Sequence, residues 1–132
     1  MLGATQKVLK SDGSTDSIAI AGVVTVYTHS FPLFSANYFG LWILPSSVTG
    51  TANLKIELEE SWTEPTTEGS SDANWVEPEG FDDVFSAVND DLAHVKTIAP
   101  VPMSFGRYKI TGLAGNPADA LISMYNFLQE AR

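Results

Sequence analysis

The chain has 132 residues, 44% of them hydrophobic and 11% aromatic, which suits one domain with a real core and excludes disorder. Seven lysines and arginines stand against 16 acidic residues, and the resulting net charge of −9 repels nucleic-acid phosphates. There is no cysteine, so disulfides and thiolate metal sites are excluded as well.

No apolar signal core follows Met1, and no uninterrupted apolar run of roughly 18 residues occurs. Synthesis in the cytosol, without a membrane span, is the expectation. Lys7 to Ser17 is polar and lacks an apolar period, so residues 1–17 read as a polar arm ahead of a domain over 18–132. That arm is either a frayed terminus or a segment that orders on a neighbouring subunit.

Ile18 to Tyr27 is rich in β-branched residues and is interrupted by Gly22, which marks a bulge or a close approach. Tyr38 to Leu44 is apolar on both alternating faces and predicts a central or doubly covered strand, ended by a turn over Pro45 to Gly50. Asn53 to Trp62 has the clearest alternation. Leu54, Ile56 and Leu58 point one way, and Lys55, Glu57 and Glu59 the other. Glu60 and Trp62 continue the inward phase, so a bulge or strand end is expected near Glu60, with Trp62 buried.

Glu64 to Pro78 is a polar connection around Trp75. Val84 to Val88 and Ala93 to Ile98 predict short strands flanking the turn triplet Asn89-Asp90-Asp91, with a helix over Asp82 to Val95 as the competitor. Phe105 to Leu113 alternates again, Tyr108 and Ile110 against Arg107, Lys109 and Thr111. Ala120 to Leu128 is apolar on both faces. Asn116, Pro117 and Asp119 ahead of it also suit a helix start, but strand is preferred because the rest of the chain is β.

The sum is an all-β chain: an antiparallel, jelly-roll-like β-sandwich of about seven strands behind an extended N-terminal arm. If the two alternating strands are neighbours, Glu57 and Glu59 meet Arg107 and Lys109 across the ladder. Their other possible use is pairing between subunits.

Little in the chain reads as catalytic. The two histidines, His29 and His94, lack the short ligand spacing of a metal motif. No nucleophile elbow, phosphate loop or zinc-protease motif occurs, so no catalytic, cofactor or metal residue is assigned. The carboxylate clusters read as a solvated acidic face. Asp72, Asp82 and Asp83 are weak calcium candidates in the absence of the twelve-residue calcium loop. Of the three tryptophans, Trp42 reads as core, and Trp75, in a polar loop, faces a partner.

The succession Asn53-Leu54-Lys55-Ile56-Glu57-Leu58, Ser61-Trp62, Ser71-Asp72-Ala73-Asn74-Trp75, then Phe105 to Gly112, then Asn116-Pro117-Ala118-Asp119 and Gln129-Glu130 resembles the small β-sandwich structural proteins of tailed phages, including head decoration proteins. The resemblance covers roughly Tyr38 to Glu130 and rests on turn-and-strand punctuation. It implies a non-enzymatic, copy-rich subunit of the virion, a capsid decoration or cement protein. Its partners would be the major capsid protein, other virion proteins, or copies of itself in a trimer or other cyclic assembly, with no nucleic acid and no membrane. Interface candidates are Tyr38, Trp42, Trp75, Arg107, Lys109, Tyr125 and Phe127. The alternative is a carbohydrate- or cell-surface-binding module with Trp75 as its site.

Overall fold

The computed structural model describes residues 3–33, 36–47, 53–78, 83–98, 103–113 and 119–130. Among them are ten strands and no helix: β1 (Gly3–Lys7), β2 (Ile18–Ala21), β3 (Thr25–Tyr27), β4 (Phe31–Pro32), β5 (Ala36–Ser47), β6 (Leu54–Ser61), β7 (Phe85–Val88), β8 (His94–Ile98), β9 (Phe105–Gly112) and β10 (Asp119–Glu130). They form two five-stranded antiparallel sheets packed as a sandwich. The first runs β1-β10-β5-β8, with β2 sharing the β1 side of β10. The second runs β3-β9-β6-β7, with β4 also on β9.

Period-two patterning builds the core. Leu54, Ile56 and Leu58 of β6 and Tyr108 and Ile110 of β9 turn inward from the second sheet. Leu41 and Ile43 of β5 and Ile122 and Met124 of β10 meet them from the first. Each fully buried Leu, Ile or Met removes enough apolar surface to contribute about 1.5–3 kcal/mol. A buried polar contact crosses the layers: the Tyr108 hydroxyl donates to Asn126 Oδ1 at 2.6 Å. Burial pushes the Tyr108 phenol well above its usual range, so it stays a donor.

The two-sided apolar segments lie where expected. β5 is flanked by β10 and β8, and β10 by β5 and the β1–β2 pair. The Ala120 to Leu128 segment is strand. β5 runs past the expected turn, through Pro45 to Ser47. β8 pairs only as far as Ile43, so the missing N–H of Pro45 breaks no ladder on that side. Val84 to Val88 and Ala93 to Ile98 are not helical, and the strands they yield belong to different sheets. Asp82 lies outside the described residues.

Two sequence expectations need correction. The strand number is ten among the described residues, not about seven. Within the expected polar arm, Gly3–Lys7 pairs with β10, and Val8 is buried in the core. An outer strand is held by its backbone ladder and needs no apolar period of its own, which is why composition hid it. The Ile18 to Tyr27 run splits at Gly22, where φ is 71° and the chain passes from the first sheet to the second.

That crossing leaves no room beside Gly112. A Cβ there would run into the backbone carbonyl of Gly22, whereas a Cβ at Gly106 would meet only the side chains of Phe31 and Leu33. Backbone cannot give way as a side chain can. Gly112→Ala is expected to cost about 2–3 kcal/mol in urea denaturation, and Gly106→Ala distinctly less. Equal losses would contradict this packing.

Candidate functional site

The outward faces of the two sheets have opposite characters. On the first sheet, the register sets Trp42 opposite both Tyr125 and Val95, Leu44 opposite Ser123, and Lys7 opposite Tyr125. The Trp42 and Tyr125 rings lie 5.4 Å apart, tilted by 57°. Lys7 Nζ stands 4.8 Å over the Tyr125 ring and donates to its hydroxyl at 3.5 Å. Around this pair Leu44 and Leu121 are exposed, Phe127 is 43% exposed and Val95 64%. From Leu121 to Phe127 and across the facing residues of β5, β8 and β1, no outward position carries a carboxylate.

On the second sheet, the expected cross-strand charges are direct partners, Glu59 opposite Arg107 and Glu57 opposite Lys109. Arg107 is almost fully buried. Its guanidinium lies 4.1 Å from the Tyr27 ring centre and 4.5 Å from that of Trp75, a cation–π contact with each ring. Its Nε donates to Glu59 Oε1 at 2.8 Å and its Nη1 to the Ser70 carbonyl at 2.6 Å. Loop 62–78 is thereby drawn onto the sheet as a flap.

The flap also ties itself together. Asp72 accepts the N–H groups of Thr66 and Thr67 at 3.1 Å each, together with the Thr66 hydroxyl, and these bonds hold its carboxyl below the usual range. The Ser61 hydroxyl donates to the Ala73 carbonyl, and Val76 pairs by backbone with Glu60. Asn74 takes a φ of 55°, which Asn tolerates better than most residues. At the flap's end Glu77 is pushed up to about 6, first by sharing a hydrogen bond with Glu57, then by burial and the Glu57 charge. Lys55 sits 3.6 Å from Glu57 and 3.7 Å from Asp83.

Trp42, Tyr125 and Phe127 are therefore gathered on one face. Trp75, Arg107 and Lys109 belong to the other. Trp75 stacks on Arg107 and is half-buried, and its indole nitrogen is buried with no hydrogen-bond acceptor. The Tyr38 side chain lies outside the described residues. Trp42, read as core from its apolar run, is half-buried on the outer face. Trp62, expected to be buried, is 64% exposed, because β6 ends at Ser61 and the inward phase stops with it.

The calcium candidates do not converge. Asp72 is occupied by flap donors and Asp83 by Lys55, and the described residues contain no group of three or more His, Asp or Glu side chains able to hold a metal. The histidines make local contacts. His29 Nε2 is 3.5 Å from Glu68, which accepts Ser30 N–H at 2.9 Å and Ser30 Oγ–H at 2.6 Å; His94 Nε2 is 2.7 Å from Asp90. One carboxyl faces the core: Glu60, beside Gly106, is buried, its Oε1 lacks a partner, and burial pushes its pKa up to about 7.

No protein-family model matches the sequence, and no curated protein does. Among solved structures, a chain of infectious bursal disease virus, Gt strain, aligns with a TM-score of 0.53 at 10% identity, over 96% of this chain and 33% of that one. The K1 cleaved adhesin domain of Lys-gingipain from Porphyromonas gingivalis W83 aligns with a TM-score of 0.53 at 6% identity, over 99% of this chain and all of that domain. The CBM36-1 domain of a multidomain xylanase from the hindgut metagenome of Trinervitermes trinervoides aligns at 0.49 and 12% identity, over 99% and 100%. The likeness is one of fold, and this chain spans about a third of the viral chain.

Two outcomes follow for the charged groups. Below about pH 4.5 Glu60 is protonated whether the chain is folded or unfolded. Between there and pH 7 only the unfolded chain gives up the proton, so stability falls as pH rises. Glu77 works in the same direction up to about pH 6. Chemical denaturation should show the wild type roughly 2 kcal/mol less stable at pH 8 than at pH 5, and Glu60→Gln should remove most of that slope. A wild type that gains stability over this range would refute the assignment. Arg107→Lys keeps the charge but loses the planar stack, so amide hydrogen exchange in residues 66–76 should speed up about tenfold or more. Unchanged exchange would show that the flap is held by something else.

Proposed function

We propose that this protein is a non-enzymatic structural subunit of a virus particle, a decoration or cement protein that docks through the outer face of its first sheet. The observation that carries the reading is the exposed apolar face around Trp42, Tyr125 and Phe127. A contiguous exposed apolar patch on a folded domain marks a place for another molecule. Its sheet lies on the far side of the core from the charged flap, and its backbone is held by the two longest strands, β5 and β10. Two stacked sheets with an apolar outer surface suit a subunit that sticks to neighbours, either the major capsid protein or further copies of itself. The phage-like punctuation of the sequence and the fold shared with the bursal disease virus chain support placing it on a virion.

One feature favours a second reading, a surface-binding module. Trp62 and Val76 are both exposed where the flap leaves β6, and the same fold serves the gingipain adhesin domain over its whole length. An exposed indole can stack on a sugar ring.

Immunogold labelling separates the two. Antibody against the protein should decorate intact particles released by the cells that make it. Label confined to cell debris would overturn the virion reading. Glycan binding that disappears in Trp62→Ala would put the second reading in its place.

A further inference from the structure

We propose that the docking face of the first sheet pairs with the same face of a second copy of this chain, across a two-fold axis. The inference rests on the reading of that face as a docking surface and names its occupant.

Charge argues for a second copy. The chain carries −9, so two copies repel wherever their carboxylates approach. The outward positions from Leu121 to Phe127, with Trp42 and Leu44 on β5, Val95 on β8 and Lys7 on β1, hold one cation and no anion. On the second sheet, Glu57, Glu59 and Glu77 gather by the flap, which also carries the exposed Asp72. A basic partner would be drawn to those acids, not to a face that lacks them. An apolar face on an acidic chain instead admits another such face.

Shape agrees. Sheets stack face to face about 10 Å apart through interleaved side chains. Val95, Leu121 and Phe127 are exposed at three separate places on this face, while Trp42 and Tyr125 are half-buried. The 57° tilt between those two rings denies a flat stacking platform to a planar or sugar ligand, yet offers an uneven surface that side chains from a second sheet can fill. A patch that meets its own image closes the assembly at two copies. Homodimer interfaces are the more apolar class, as this face requires.

The test uses sedimentation velocity and light scattering on the full chain from micromolar to millimolar concentration. The wild type should be a dimer. Phe127→Glu and Leu121→Glu add a carboxylate to exposed positions at opposite ends of the face. Each should weaken association by about a hundredfold or more while the circular dichroism stays unchanged. Trp62→Ala, exposed but off the face, should dimerise as the wild type does. A wild type that stays monomeric throughout, or face variants that still dimerise, would overturn the inference. The virion reading fails separately: dimers in solution without label on particles sink that reading alone. A monomer whose attachment to particles is abolished by Phe127→Glu leaves the virion role standing and hands the face to a different partner.

Discussion

The structure depends first on the parity of β9. Even-numbered residues from Gly106 to Ile110 face the core, and Arg107 and Lys109 face out. A slip of one residue would expose Tyr108 and Ile110 and force a guanidinium and an ammonium between the sheets, at a cost no other contact could offset. Tyr108 also reaches across the layers to Asn126, so the same parity sets how the two sheets sit on each other. Thr28 strengthens the arrangement from the side: its Oγ1 accepts the Tyr108 N–H at 2.9 Å, and its own N–H goes to the Tyr108 carbonyl at 3.0 Å. With β9 held on β6 and Thr28, Arg107 emerges where Tyr27 and Trp75 can enclose it.

The second sheet shows how an acidic chain keeps several carboxylates close together. Glu59 is paired with Arg107, Glu57 lies near Lys55, and Glu77 holds a proton longer than an isolated carboxyl does. Burial of Arg107 is tolerable because a guanidinium is weakly hydrated, and here it gains two rings, a carboxylate and a carbonyl in return for water. Glu60 is different. It is buried with an unpartnered oxygen, and burial raises it to about 7, so in the folded chain it holds its proton through the mildly acidic range, which is the cheaper solution for a lone buried carboxyl.

The sheet interiors were legible because burial imposes a period of two on β6 and β9, and the charge alternation on their outer faces followed from it. Phase even placed Glu60 inward. What was not legible depended on partners distant in sequence. Gly3–Lys7 carries no apolar signal, since backbone pairing with β10 alone makes it a strand. The Arg107 stack joins residues 27, 75 and 107, a juxtaposition that only the flap's path creates. Trp62 was misplaced because alternation holds only while a strand lasts, and no residue type at Ser61 announces its end. On the first sheet, Trp42 read as core from its apolar run, although it also stood with Tyr125 and Phe127 among the contact candidates. Their assembly into one face required the pairing of β5 with β10, which the sequence does not encode locally.

Strand length differs sharply between the middle and the margins of the molecule. β5 and β10 have 12 residues each and β6 and β9 eight, while β1, β2, β3, β4, β7 and β8 have two to five. A newcomer that tried to extend either sheet sideways would find a brief, interrupted row of amides and carbonyls, too little to template a fibril. Lateral polymerisation is thus discouraged at the rims, which lets such a chain reach high local concentration without running on into cross-β aggregates.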